Sequence, residues 1–260
     1  MFSYIDRKIR ARLNANDTLI YLNESGDKVE ENYPGMPVIS LLGPIPMPVN
    51  VSGTELKLHW YPFVRRVELR HVLETANAIS SGDKDAFRLL LQERMSVNSI
   101  LMTPDFPEKD TPLVRIHSCC MTGDVFGSMR CECGPQLELA FQSIAREGGA
   151  VVYMSSHEGR GIGLWAKAIT YLLQDEGQDT YQANVSLGLP EDSRDFKDAA
   201  IVLRYMLKGK PIRLMSNNPL KRSQLEEAGQ QVTELVRHVI GISQYNERYM
   251  KSKKEKGHQI

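Results

Sequence analysis

The sequence predicts an α/β fold, and three observations carry that expectation. From residue 111 onward, helix-spaced apolar residues alternate with short apolar runs. Glycines and the step Asn217-Asn218-Pro219 punctuate these segments at their ends. A chain of 260 residues, 42% hydrophobic and 25% charged, can bury a sizeable core. With 32 Lys+Arg against 32 Asp+Glu, a long nucleic-acid groove or a membrane-attracted surface has no global electrostatic support, so any anion site must be local. No apolar run approaches the roughly 18 to 20 residues of a membrane span, and MFSYIDRKIR lacks the apolar stretch of a secretory signal, so a cytoplasmic protein is expected.

In residues 38–51, VISLLGPIPMPVNV, prolines alternate at Pro44, Pro46 and Pro48, which favours an extended connector because proline cannot donate to a ladder. Leu56, Leu58 and Trp60 alternate with polar neighbours, as in a half-buried strand. Asp83, after Gly82, suits the start of a helix through Leu89, Leu90 and Leu91. Residues 1–110 carry no chemical motif, and packing or oligomerisation is their expected role. Leu137, Ala140, Phe141 and Ile144 then recur at helical spacing up to Gly148-Gly149, and AVVYMSS at 150–156 reads as a buried strand followed by the loop HEGRGIG. A helix runs from Leu164 to Glu176 and ends at Gly177; another runs from about Asp195 to Leu207 on Phe196, Ala200, Leu203 and Leu207. The strand IRLMS at 212–216 leads to Asn218, an N-cap, and Pro219, a first helical position. The tail at 246–260 is polar and expected to be mobile.

All four cysteines fall between Cys119 and Cys133, too close together to staple a chain of this length, so metal ligation is the better reading. The spacing C-x10-C-x-C of Cys120, Cys131 and Cys133 favours an open catalytic zinc site with three protein ligands. Cys119 or His117 could complete a closed structural site instead. The loop HEGRGIG offers Glu158 and Arg160 among glycines before a helix, where an anion could meet unpaired N–H groups. GLPEDSRD presents Glu191, Asp192, Arg194 and Asp195, while SNNPLKR presents Ser216, a helix start, Lys221 and Arg222. Solvated loops and a capped surface helix would look alike one at a time. Together, an open zinc site and several phosphate-suited loops point to metal-assisted hydrolysis of a nucleotide.

The ordered runs VRIHSCCMTGDVFGSMRCECGPQLELA, HEGRGIGL, AITYLLQDEGQDTYQANVSLG, EDSRDF and MSNNPLK resemble the GTP cyclohydrolase II family over about residues 111–236, and GISQYNERYMKSKKEKGH resembles its C-terminal end. The resemblance implies a mixed sheet with flanking helices, in a catalytic domain over 111–245 preceded by a poorly matched N-terminal segment. It implies zinc-dependent opening of the imidazole ring of GTP, with release of C8 as formate and of pyrophosphate, giving the first pyrimidine of riboflavin synthesis. It also implies Cys120, Cys131 and Cys133 as zinc ligands, Tyr171, Asp192 and Arg194 as catalytic residues, and Arg115, Gln136, Glu158, Arg160, Thr180, Ser216 and Lys221 as nucleotide contacts. Glu158 could help hold Mg²⁺ on the triphosphate. Arg194, assigned in the family as a nucleophile toward the α-phosphorus, is better suited to charge stabilisation, since a guanidinium keeps its proton. The partners implied are GTP and a second copy in a homodimer. Cys119 stands where the family commonly has Glu, and Ser216 where it commonly has Thr; paralogues with another nucleotide, a formamide product or a role in pyrimidine catabolism share the pattern.

Overall fold

Strand β7 (Leu113–Ser118) is buried on both faces although its sequence, LVRIHS, is half polar: Arg115 and His117 are buried beside Leu113, Val114 and Ile116. A computed structural model describes residues 7–31, 33–34, 37–66 and 96–259; the helix expected after Asp83 lies outside the described residues. Strand β7 pairs in parallel with β8 (Gly149–Met154) and β9 (Ile212–Met215), and β9 pairs in parallel with β10 (Val232–Val236). Helix α3 (Cys133–Glu147) connects β7 to β8, α6 (Lys197–Leu207) precedes β9, and α7 (Pro219–Glu227) connects β9 to β10.

These helices cover both faces of the sheet. Ala140 and Ile144 of α3 pack with Leu113, Val151 and Met215. Ala199, Ala200, Leu203 and Leu207 of α6 pack on the other face with Val114, Ile116, Val152 and Leu214. The period-2 alternation along β7 therefore aims Leu113 and Arg115 at α3, and Val114 and Ile116 at α6. Gly148 ends α3 at φ 72° and Asn218 Oδ1 caps α7 by accepting from Leu220 N at 3.0 Å, both at the positions expected from sequence.

The sheet continues without interruption into the N-terminal segment. Strand β6 (Asn98–Met102) lies antiparallel to β8 on one side and to β5 (Thr54–Arg65) on the other. Beyond β5 come β3 (Ile39–Leu42), β1 (Leu19–Leu22) and β2 (Lys28–Val29); among the described residues β4 (Ile45–Val51) pairs with β5 alone and the mixed sheet has ten strands. Residues 38–51 are thus extended, but they form β3 and β4 and are no connector. The prolines fit because β4 has one free edge: Pro46 and Pro48 share a parity and are exposed, so the donors they lack face solvent. Ser52 and Gly53, at φ 50° and 84°, make the tight turn into β5.

The tail also departs from expectation. Helix α8 (Glu247–Glu255) is ordered onto the rest of the chain, Arg248 donates to Gly177 O at 3.0 Å, and Gln259 N donates to Asn217 O at 2.9 Å. Tyr249 and Lys253 of this helix line a polar cleft, so a polar sequence does not imply a free one. Among the described residues, no helix is long and apolar enough to cross a membrane.

Candidate active site

At the C-terminal end of β7 the chain enters Cys119-Cys120 and the short helix α2 (Met121–Asp124). The loop after it returns Cys131 and Cys133, and the three sulfurs of Cys120, Cys131 and Cys133 lie within 4.8 Å of one another, Cys120 and Cys131 at 3.6 Å. A tetrahedral zinc with bonds of about 2.3 Å needs sulfurs about 3.8 Å apart, so this donor set fits the ion. The space between them is kept by Gly123, whose Cβ would stand 2.9 Å from Cys131 Sγ and 3.3 Å from Cys120 Sγ. Hydrogen bonds from Cys131 and Cys133 push the Cys120 thiol strongly down, and the bond to Cys120 in turn pushes Cys131 up. Without a cation one thiolate leans on two neutral thiols, and all three sulfurs could be thiolates at this spacing only around a cation.

Neither candidate for a fourth ligand joins the group. His117 Nε2 faces Asp124 Oδ1 at 3.0 Å, and Asp124 Oδ2 also accepts from Cys120 N at 3.0 Å and Tyr153 Oη at 2.9 Å. Asp124 thereby fixes the turn that carries Cys120, and His117 is spent on holding it. Cys119 turns its thiol to Glu158 Oε2 at 3.6 Å, and burial pushes that thiol up to about 11, so it stays protonated.

Glycines around the 3₁₀ turn Ser155–Arg160 allow the next layer. Gly159, Arg160 and Gly161 have φ of 60°, 65° and 89°, left-handed values that two glycines adopt freely and the arginine does not. A Cβ on Gly161 would meet Ser193 at 3.2 Å, so this glycine serves the approach of the 191–195 loop rather than a phosphate. Helix α4 (Gly163–Asp175) follows and presents Lys167 and Tyr171, one turn apart, toward the thiols. Lys167 Nζ donates to Cys120 Sγ at 3.1 Å and to Glu158 Oε1 at 2.7 Å. Tyr171 Oη lies 3.1 Å from Thr122 Oγ1, with the Arg130 guanidinium 4.4 Å over its ring. Burial raises the phenol above its ordinary value, leaving a neutral hydroxyl that can give a proton.

The same cleft is lined by further cations. Arg115 is buried, donates to Gln136 Oε1 at 2.7 Å and Met215 O at 2.8 Å, and is lowered by burial to about 10, which leaves it charged at neutral pH. Lys221, 5% exposed, donates to Ile116 O at 2.8 Å; burial first, then the charges of Arg115 and Arg194, hold it well below its ordinary value. Arg194 Nε donates to Asp192 Oδ1 at 2.8 Å, and Arg160 stacks 4.1 Å over Tyr181 with its Nη1 3.4 Å from Asp192. Burial alone would raise the Asp192 carboxyl, but these arginines outweigh it and hold the group below its usual range. Helix α8 adds Tyr249 and Lys253, the latter paired with buried Glu132, and His258 follows it. Burial, then Lys253, Arg160, Arg194 and Lys221, push His258 down to about 3. So many cations around one cleft suit a polyanion.

The GTP cyclohydrolase II family model matches residues 80–237. The chain belongs to the GTP cyclohydrolase II family. It is similar to proteins named riboflavin biosynthesis protein RibBA: 49% identical over 160 residues to that of Salinispora tropica, covering 61% of this chain and 40% of the relative. The corresponding protein of Rhodococcus jostii is 44% identical over 197 residues, 75% of this chain and 46% of the relative; that of Parabacteroides distasonis is 52% identical over 153 residues, 58% and 38%. The chain thus spans less than half the length of these curated relatives.

Of the residues the family resemblance singled out, Cys120, Cys131, Cys133, Arg115, Gln136, Arg160, Tyr171, Thr180, Arg194, Ser216 and Lys221 all line this one cleft. Thr180 is placed by a capping box at the start of α5 (Thr180–Ser186), where Asp179 accepts from Tyr181 N and Gln182 N and Gln182 accepts from Asp179 N. Ser216 Oγ accepts from Asn218 N at 3.1 Å, so it also helps shape the turn before α7. Glu158 and Asp192 stand behind the lining, the first committed to Lys167 and to Met121 N at 2.6 Å, the second to Arg194 and Arg160. Sequence reasoning missed Lys167, Arg130, Glu132, Tyr249, Lys253 and His258, all on the cleft. Lys167 had a signal: it sits four residues before Tyr171 on one helix face.

Proposed function

We propose that this chain is a zinc-dependent GTP cyclohydrolase II: it hydrolyses GTP, releases C8 as formate and the β- and γ-phosphates as pyrophosphate, and yields 2,5-diamino-6-(5-phosphoribosylamino)pyrimidin-4(3H)-one, the first intermediate of riboflavin synthesis. The observation that carries this reading is the meeting of three converging thiols and several cations in the lining of one cleft. Cys120, Cys131 and Cys133 would hold zinc, which would supply Lewis-acid chemistry for water near C8, an amidine-like carbon between two nitrogens. Tyr171 gives a proton to the ring nitrogen as the C8–N bond breaks and orients the resulting formamide, from which a second water releases formate. Arg194, aimed by Asp192, neutralises charge on the pyrophosphate as water replaces it at the α-phosphorus. Arg115, Gln136, Arg160, Thr180, Ser216 and Lys221 hold the nucleotide. Both carboxylate oxygens of Glu158 are already engaged, so we propose that Mg²⁺ arrives on the triphosphate without it.

The working unit is a homodimer in this reading. On α4, Trp165, Ile169 and Leu172 recur at i, i+4 and i+7 and are 83%, 38% and 64% exposed, an apolar stripe suited to a second copy. Sedimentation of the wild type and of Trp165→Glu checks this, with dissociation of the variant expected.

A second reading, a paralogue that takes another nucleotide or stops at the formamide, is favoured by Cys119, whose neutral thiol occupies a lining position commonly held by a family carboxylate. Mass spectrometry of the products formed from GTP by the purified zinc protein with Mg²⁺ separates the two. Formate, pyrophosphate and the diaminopyrimidine support the first reading; a formamide-bearing product supports the second; no turnover of GTP refutes both. Cys131→Ser and Cys133→Ser are expected to lose zinc and turnover, whereas Cys119→Ser keeps zinc. Loss of zinc from Cys119→Ser would refute the three-ligand assignment.

A further inference from the structure

A lysine buried against a cysteine cluster is unusual, because an ammonium out of water is costly unless its charge is used. Lys167 is 8% exposed, and two anionic acceptors meet its Nζ: Cys120 Sγ at 3.1 Å and Glu158 Oε1 at 2.7 Å. Glu158 is itself held. Its Oε1 accepts from Gly159 N at 3.0 Å and its Oε2 from Met121 N at 2.6 Å, the residue next to Cys120. The ammonium is therefore clamped between α4, the 3₁₀ turn and the start of α2, with little freedom to leave the sulfur.

We propose that Lys167 is a positioning residue for the metal centre: held by Glu158, it donates to the Cys120 thiolate, fixes the direction of that sulfur and withdraws electron density from it. This rests on the zinc reading above. Three thiolates and one divalent ion sum to a single negative charge, and the ammonium 3.1 Å from one sulfur offsets it. The bonded sulfur donates less to the ion, which leaves the ion a stronger Lewis acid for water. Tyr171 lies one turn further along the same helix, held by Thr122 and Arg130, so the residue beside the ligand and the proton donor share one rigid element.

The test uses the full chain, with zinc and then cobalt(II) as probes. Zinc affinity is read by competition with a chromophoric chelator, and the sulfur-to-cobalt charge-transfer band is read by absorption. Lys167→Met is expected to bind zinc about 10- to 100-fold more weakly, the usual cost of losing an outer partner of a ligand. Its cobalt band should move to lower energy, because an unbonded thiolate gives up charge more easily; a change of packing alone would not move the band in that direction. Lys167→Arg, which keeps the charge and a donor, should restore much of the band position. If Lys167→Met does not fold, Lys167→Gln carries the same test, with a smaller shift in the same direction. Wild-type affinity and band position in Lys167→Met or Lys167→Gln would overturn this inference and leave the zinc reading standing, whereas a wild-type chain that takes up neither metal would overturn both.

Discussion

Gly123→Ala adds one methyl group where the structure has room for none. The new Cβ would stand 2.9 Å from Cys131 Sγ, 3.0 Å from Cys133 Cβ and 3.3 Å from Cys120 Sγ. Free thiols can turn away from it, but sulfurs fixed on an ion cannot, so the clash falls on the metal-loaded form. Overpacking of this kind costs about 1 to 3 kcal/mol. At about 1.4 kcal/mol per tenfold, zinc should bind roughly 5- to 140-fold more weakly. Local propensity works the other way: Gly123 lies in α2 without a positive φ, and alanine in a helix is favoured over glycine by up to about 1 kcal/mol. In chelator only the Cys133 Cβ contact remains against the helical gain, so the melting point of the variant should fall further below wild type in saturating zinc than in chelator. Chelator competition and paired melting curves measure both quantities. Equal zinc affinity in variant and wild type would refute the claim that Gly123 reserves space for an ion.

Tyr171→Phe removes the hydroxyl that meets Thr122 while keeping the ring under Arg130, so binding of a non-hydrolysable GTP analogue should persist and formate release should slow by about 10²-fold or more; unchanged turnover would leave the ring a packing group. Arg194→Lys keeps charge but loses the fork that Asp192 aims, and pyrophosphate release should fall by on the order of 10² to 10³-fold with zinc retained. Wild-type release in that variant would return the 191–195 loop to a surface role. Lys221 is held below its ordinary pKa by burial and by Arg115 and Arg194, and a bound triphosphate favours its charged form, so nucleotide binding should take up protons. Calorimetry of the GTP analogue in two buffers of different ionisation enthalpy reads the uptake, which should shrink in Lys221→Met; no uptake by wild type would refute the assignment.

What was legible in the sequence is what is local. Helix α3 could be read from Leu137, Ala140, Phe141 and Ile144 with Gly148 as its stop, and the start of α7 from Asn218-Pro219, because periodicity and capping need only neighbours in the chain. The thiol cluster showed itself through spacing for the same reason. The proline-bearing β4 was misread because tolerance of proline depends on whether an edge is free, which only the strand order decides. Lys253 and His258 were invisible as site residues because an isolated Lys or His in a polar tail is ordinarily solvated, and Glu132, the partner of Lys253, lies far away in sequence; Lys167 could be read only from its spacing to Tyr171, because Cys120 and Glu158 reach it through the fold.

Strand β8 has β7 along one edge and β6 along the other, with Ser99 opposite Tyr153 and Met102 opposite Ala150. The second partner comes from before residue 111, outside the part of the chain that carries the proposed ligands. Cutting the chain there would bare the edge of an uncharged strand, GAVVYM, whose backbone groups would be open to any other strand. Such a fragment would hold all of the thiols, arginines and lysines of the cleft and still tend to stack with its own copies, since long apolar edges seed aggregation. Strand β6 supplies no residue to the cleft lining, but it covers the second edge of β8.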